Sequence, residues 1–321
     1  MPYPRKRCNG GRGAVTELGN ILERLEPSLG TLGGEPVALD GGITNRNYRV
    51  TLGGSDYVVR LPGKDTDLLG IDRQAERIAN GAAAALGLAP AVAAALDDCL
   101  VTEFVACSAV GKNEIADGVE EIAHALRSFH ESTVVLPTRF WVPELLGDYA
   151  QIVRRRGGHT DDAYADAVSA ARRIEGALAL TDPRPCHNDL LAGNIIKSSS
   201  DGRLMIVDWE YAGMGDPRFD LGNLAVNNEL DVRAEERLLT AYHRAPPTDG
   251  QRAALKLMRV LSDAREGAWG VVQGLVSQLD FDFDGYAAEH FHRLQQAVAD
   301  PDFEEWLACA NRTTREDTHS G

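Results

Sequence analysis

His187-Asn188-Asp189-Leu190-Leu191-Ala192-Gly193-Asn194, followed after a polar turn by Leu204-Met205-Ile206-Val207-Asp208, is the stretch on which the reading of this chain depends. Asp189 offers a carboxylate that can accept a hydrogen bond from a hydroxyl, and Asn194 offers an amide oxygen to a metal ion. Between Asn194 and Asp208, Ser198-Ser199-Ser200-Asp201-Gly202 marks a turn. The apolar runs on either side of it predict two short paired strands. That hairpin returns Asp208 to the first loop. Two carboxylates and one amide then converge, a donor set that suits two magnesium ions beside a transferring phosphoryl group. Asp189 or Asn194 alone reads as a turn cap. The ordered set, with an apolar strand leading into its last member, reads as a phosphotransfer site.

The spacing H-x-D-x-x-x-x-N is similar to the protein-kinase catalytic loop, and Leu204 to Asp208 is similar to the strand that delivers its metal-binding aspartate. The continuation departs from protein kinases. Asp208-Trp209-Glu210-Tyr211 stands in place of D-F-G, and no A-P-E sequence follows. Together with Asp216-Pro217-Arg218-Phe219-Asp220-Leu221-Gly222-Asn223, it resembles the aminoglycoside phosphotransferase and choline kinase superfamily. Gly41-Gly42-Ile43-Thr44-Asn45-Arg46-Asn47-Tyr48 and Glu266-Gly267-Ala268-Trp269-Gly270-Val271-Val272-Gln273 resemble its choline and ethanolamine kinase branch, particularly the bacterial members. The resemblance runs from about Glu35 to about Arg293.

What the resemblance implies is an α+β, protein-kinase-like fold with two lobes. An N-terminal nucleotide-binding lobe with an antiparallel sheet is expected over 15–105, and a mainly helical catalytic and acceptor-binding lobe over 106–310, between a loose arm at 1–14 and a loose tail at 311–321. It also implies a kinase using ATP and Mg2+ to phosphorylate the hydroxyl of a small cationic amino alcohol, foremost choline. Ethanolamine and aminoglycosides are the alternative acceptors. A non-catalytic nucleotide sensor of the same fold is the reading from a different class. In the kinase reading Asp189 orients the hydroxyl and accepts its proton, while Asn194 and Asp208 hold the metal.

The first half supports a sheet without any family. Pro36-Val37-Ala38-Leu39, Tyr48-Arg49-Val50-Thr51-Leu52 and Tyr57-Val58-Val59-Arg60-Leu61 are short apolar or alternating runs separated by Gly-rich turns, which predicts an antiparallel meander. By resemblance the first turn lies over the ATP phosphates, with Gly42, Thr44, Asn45 and Asn47 facing them. Arg60 stands where a protein kinase carries lysine. Its expected partner is Glu76, on a helix whose stripe is Ile71, Ala75, Ile78, Ala79 and Ala82, although Arg73 with Glu76 is an equally good i,i+3 surface pair. Cys99-Leu100-Val101-Thr102-Glu103-Phe104-Val105 reads as a buried strand and resembles the hinge, where backbone groups of Glu103 and Val105 would meet the adenine edge.

Beyond the hinge the pattern turns helical. Ile122, Leu126 and Phe129 form one stripe, and Tyr164 to Leu180 is a second amphipathic stretch. His124, His130, His159, His243, His290, His292 and His319 show no metal-ligand spacing and read as surface or capping residues. His187 is expected to brace the catalytic loop. Asp220 resembles the kinase aspartate that accepts hydrogen bonds from that loop, with a helix N-cap as its plainer role. For the acceptor, Glu210, Tyr211 and Trp269 are the expected substrate-binding residues, with Phe281, Phe283 and Tyr286 as further aromatic surface. A quaternary ammonium has no N–H, so aromatic faces and negative charge must hold it. Trp269 aligns with an aromatic of the choline kinase motif. Glu266 stands where animal choline kinases place a second tryptophan.

Composition limits the alternatives. The 321 residues, 44% hydrophobic and 25% charged, suit two lobes sharing a cleft. A net charge of -15 disfavours nucleic acid and anionic membrane surfaces while drawing a cationic substrate. Cys8, Cys99, Cys107, Cys186 and Cys309 are dispersed, with no C-x-x-C pair, and read as reduced thiols of a cytoplasmic protein. No apolar run long enough to span a bilayer is present, so no membrane insertion is expected. The oligomeric state stays open.

Overall fold

The computed structural model describes residues 12–39, 45–63, 66–178, 182–277 and 279–317. Its first part is a helix laid on a five-stranded sheet. α1 (Arg12–Leu29) precedes β1 (Val37–Leu39), β2 (Arg46–Leu52), β3 (Ser55–Leu61), α2 (Arg73–Ala85), β4 (Val92–Leu96) and β5 (Cys99–Glu103). The strand order is β1-β2-β3-β5-β4, and every neighbouring pair is antiparallel. Gly53 and Gly54 close the β2–β3 hairpin at φ 58° and 84°. Left-handed backbone at both central positions is what a two-residue turn between twisted strands requires. Alternation then sends Val50, Leu52, Val59 and Leu61 inward, where they meet Leu18, Ile21, Leu22 and Leu25 of α1. Asp72 caps α2 by accepting the Gln74 and Ala75 N–H groups.

The second part is mainly helical. β6 (Cys107–Ala109) leads into α3 (Lys112–Asp117), α4 (Val119–His130), α5 (Val142–Arg155) and α6 (Asp162–Ala177). β7 (Arg184–Cys186), β8 (Ile195–Ser198), β9 (Leu204–Ile206) and β10 (Gly213–Gly215) carry the loops of interest. β8 and β9 pair across the expected hairpin, β6 extends that sheet, and β7 pairs with β10. α7 (Pro217–Asn227), α8 (Val232–His243), α9 (Asp249–Val276), α10 (Phe283–Val298) and α11 (Phe303–Asp317) complete the chain. α9 is the central helix, packed on α5, α6, α7, α10 and α11. One apolar cluster surrounds it, and another joins α4, α7 and the β8–β9 sheet beneath the catalytic-loop sequence.

The expected fold class, an antiparallel-sheet lobe followed by a mainly helical one, is thus present. α1 begins at Arg12, within the segment read as a loose arm, and α11 continues helical to Asp317, into the segment read as a loose tail. His130 and His290 are not surface residues: both are buried, His130 on Asp220 and His290 on Asp263. Isolated histidines carry no sequence sign of the distant carboxylates that bury them. Among the described residues, no helix is long and apolar enough to cross a membrane.

Candidate active site

The loop from His187 to Leu191 leaves β7 and is fixed from beneath. Asp220, on the first turn of α7, accepts the His187 N–H at 2.8 Å and the Asn188 N–H at 2.7 Å. His130 makes a third bond to the same carboxylate at 2.9 Å and uses its other nitrogen on the Tyr242 hydroxyl. Burial raises the Asp220 carboxyl, but its bond and charge interaction with His130, with His187 assisting, outweigh it and hold Asp220 below the usual range. The N-cap of α7 is Asp216, not Asp220. His130, Cys186 and Asp220 offer ligand-type atoms within 4.8 Å of one another, yet Asp220 is already occupied by N–H donors. The cluster is therefore a buttress. Asn223 and Asn228 hold Leu190, the first through its N–H at 2.5 Å and the second through its carbonyl at 3.0 Å.

His187 donates from Nε2 to the Val207 carbonyl at 3.0 Å and accepts the Asp189 N–H at Nδ1, 3.2 Å away. One donor and one acceptor describe a neutral ring, and burial pushes its pKa down to about 4. It ties the loop to the strand that carries Asp208. Asn188 and Asp208 both adopt left-handed backbone, at φ 68° and 67°. For non-glycine residues such conformations cost about 1–3 kcal/mol and persist only where the surroundings enforce them.

Asp189, Asn194 and Asp208 lie together. The Asn194 amide nitrogen donates to the Asp189 carbonyl at 2.8 Å and to its carboxylate at 3.0 Å, while the Val207 N–H bonds the Asn194 carbonyl at 2.9 Å. With that nitrogen committed, the Asn194 side-chain oxygen is the group left for another partner. Burial pushes Asp189 up to about 8; Arg265 opposes the rise, and Glu266, Asp208 and Glu210 add to it. Asp208 Oδ1 lies 2.6 Å from Arg60 Nη2 but off the direction a hydrogen bond needs, and it remains a buried oxygen without a hydrogen-bond partner. A carboxylate oxygen and an amide oxygen are hard donors of the kind that fit a magnesium ion, and a metal on Asp208 would share that carboxylate with the Arg60 guanidinium.

On the sheet side, Glu76 meets both of its expected partners at once. Oε1 takes Arg60 at 2.6 Å and Oε2 takes Arg73 at 2.8 Å. Burial raises Glu76, and the two guanidiniums more than reverse this, leaving it below the ordinary range. Arg73 also lies 3.3 Å from Glu210, and Asn45 donates to Glu210 at 2.9 Å. Asn45, expected over phosphates, thus fastens the sheet to the segment after Asp208. Asn47 sits within β2 opposite Arg60, with its side-chain oxygen buried and unbonded. Gly42 and Thr44 fall outside the described residues. At the hinge the Glu103 N–H bonds Ala91 and the Phe104 N–H bonds Asp56. Glu103 ends β5 opposite Tyr57, and among the described residues the Val105 N–H, just beyond the strand, has no backbone acceptor, which leaves a donor for an adenine edge.

On the other side, Trp269 donates its indole N–H to the Tyr211 hydroxyl at 2.9 Å. Glu210 does not join them, because the tight turn after left-handed Asp208 sends residue 210 toward Asn45 and Arg73 and residue 211 toward α9. The charge facing Tyr211 comes from Arg265, whose guanidinium lies 4.2 Å over the ring. Arg265 Nη1 reaches Asp189 Oδ1 at 3.2 Å and Glu266 Oε1 at 2.5 Å. The Tyr286 hydroxyl bonds the other Glu266 oxygen at 2.7 Å.

Residues 36–257 match the phosphotransferase enzyme family. The chain belongs to that family. It is 28% identical to protein LicA of Haemophilus influenzae over 218 residues, 64% of this chain and 62% of that protein, so it spans less than two thirds of that relative. A solved choline/ethanolamine kinase family protein from Mesorhizobium loti has a TM-score of 0.77 at 28% identity, over 92% of this chain and 99% of that one. Choline kinase LicA from Streptococcus pneumoniae follows with 0.74 at 26% identity, over 88% and 99%.

In this member of the family, sequence reasoning missed Arg265, Asn223, Asn228 and the roles of His130 and Glu266. Arg265 had one available signal: an arginine in the interior of a long apolar helix face, directly before Glu266. Asn223 closes the stretch Asp216–Asn223 that carries the resemblance, with no role attached to it; Asn228 had no signal, since a loop-bracing amide looks like any other polar residue at a helix end.

Proposed function

We propose that this phosphotransferase moves the γ-phosphoryl group of ATP to the hydroxyl of a small amino alcohol. The observation that carries the reading is the convergence of Asp189, Asn194 and Asp208, with Asn194 bonded to Asp189 and with Asp208 facing Arg60 across the cleft. The likeness to choline and ethanolamine kinases supports the acceptor class. Choline, the acceptor the sequence favours, and ethanolamine present the same hydroxyl and differ only at nitrogen.

In this reading Asp189 accepts a hydrogen bond from the acceptor hydroxyl and aims its oxygen at the γ-phosphorus. The new O–P bond forms as the bond to the β–γ bridging oxygen breaks, ADP departs, and the hydroxyl proton passes to Asp189. His187, Asp220, Asn223 and Asn228 hold the loop so that this alignment is not lost to thermal motion. Asn194 and Asp208 are the residues that would hold magnesium, which when bound neutralises charge on the phosphate oxygens. Arg60 is steadied by Glu76 and faces the nucleotide phosphates. Backbone groups of Glu103 and Val105 receive the adenine edge.

The test is ATP consumption by the purified protein with choline, ethanolamine and kanamycin as separate acceptors, with and without magnesium. Turnover with an amino alcohol should fall by at least about 1,000-fold in Asp189→Asn and in Asp208→Asn, with folding retained by circular dichroism. Wild-type rates in either variant would refute the assigned roles. Turnover with kanamycin alone would move the acceptor class to aminoglycosides.

A further inference from the structure

The two neighbours on α9, Arg265 and Glu266, alter what the acceptor end can bind. A quaternary ammonium has no hydrogen to donate, so its affinity must come from aromatic faces turned toward it. Here the Tyr211 face already carries the protein's own guanidinium at 4.2 Å. Trp269 gives its N–H to Tyr211, and its ring meets Phe283 and Tyr286 edge-on at 5.9 and 5.7 Å. A second cation on that face of Tyr211 would have to displace Arg265, which is 2% exposed and anchored on Asp189 and Glu266.

The same cluster is well suited to a different cation. Arg265 lies between two carboxylates, Asp189 and Glu266; with Asp189 held up by burial, the pair Arg265–Glu266 is balanced, and a net negative charge appears there only when Asp189 is ionised, the form the proposed base must take. Glu266 takes one bond from Arg265 and one from the Tyr286 hydroxyl, one on each oxygen. A carboxylate has about four acceptor positions, so capacity for N–H donors remains. Arg265 Nε and Nη2 are buried without a hydrogen-bond partner.

We infer that the acceptor is an amino alcohol whose ammonium still carries hydrogen, and that Glu266 is the residue that selects it over the quaternary analogue. The inference rests on the proposed kinase reading and narrows its substrate. Ion pairing plus a charge-assisted N–H···O bond is available to ethanolamine and its N-methyl derivatives and is denied to choline. Full methylation would bury Glu266 against groups that cannot satisfy it.

The experiment compares kcat/KM of the wild-type protein for ethanolamine, N-methylethanolamine, N,N-dimethylethanolamine and choline, at saturating ATP and magnesium. The expected result is a decline of at least about 100-fold across the series, with the largest step at the last methyl, which removes the last N–H. Glu266→Gln should lower kcat/KM for ethanolamine far more than for choline and so flatten the series. Tyr286→Phe, which keeps the carboxylate, should flatten it less. Choline used as well as ethanolamine, or an equal loss for both in Glu266→Gln, would overturn the inference and leave the kinase reading standing. No turnover with any of the four would overturn both. The wild-type series needs no variant to fold.

Discussion

Arg265 shows how one residue can serve stability and chemistry together. Its charge is buried, which alone would lower its pKa, yet Glu266 and Asp189 hold it raised and therefore ionised. Breaking a buried pair from one side leaves a carboxylate unmatched and costs about 3–5 kcal/mol, whereas replacing both partners removes much of that penalty. Arg265→Met should accordingly lose about 3–5 kcal/mol in urea unfolding. The double variant Arg265→Met/Glu266→Gln should be less destabilised than the sum of the two single changes, by roughly 1–3 kcal/mol of coupling. Strict additivity would show that the short contact between Arg265 and Glu266 contributes nothing to the fold. Arg265→Lys, which keeps the charge but not the planar fork, should fall between wild type and Arg265→Met.

At the scale of elements, α7 is the support on which the catalytic-loop sequence rests. It supplies Asp220 and Asn223 to that loop, and Gly222 lies between them. A Cβ on Gly222 would come 2.5 Å from Met258 Cβ and 2.7 Å from the Met258 carbonyl carbon on α9. No real contact is that short, so Gly222→Ala must push the two helices apart. A destabilisation of about 1–3 kcal/mol is expected. In the proposed reaction kcat should fall along with it, since Asp220 and Asn223 move with their helix. Unchanged stability and rate would mean that α7 can slide on α9 without cost. This crossing also marks where the sequence ceases to be readable. The hairpin around Gly202, the spacing of Asp189 and Asn194 and the partners of Glu76 are local or pairwise patterns, and the chain spells them out. Glu210 is different: its direction depends on the left-handed turn at Asp208, and sequence spacing put it with Trp269 instead of Asn45. The Arg265 contact to Asp189 and the Asn223 contact to Leu190 join segments far apart in sequence, with no periodicity to announce them.

For the molecule as a whole, the sheet region and the helical region are tied across the cleft by charge. Arg60 reaches Asp208, and Arg73 and Asn45 reach Glu210. Two arginines therefore meet three carboxylates there, within a chain of net charge -15. Such a cleft repels a bare polyphosphate. In the proposed reaction magnesium must then supply the missing positive charge, and nucleotide should bind well only with the metal. A ligand that binds only the folded state stabilises it by about 2.7 kcal/mol at a hundred times its Kd. For a chain of this size that corresponds to a rise in melting temperature of about 3–6 °C. ATP with magnesium should produce a rise of that order, and ATP with chelator a much smaller one. In Asp208→Asn the increment due to magnesium should disappear while any shift from ATP alone stays, because that change removes the metal-facing carboxylate but leaves Arg60 and the hinge. If Asp208→Asn kept the full magnesium increment, the metal would have to be held elsewhere, and the role of Asp208 would reduce to its ion pair with Arg60.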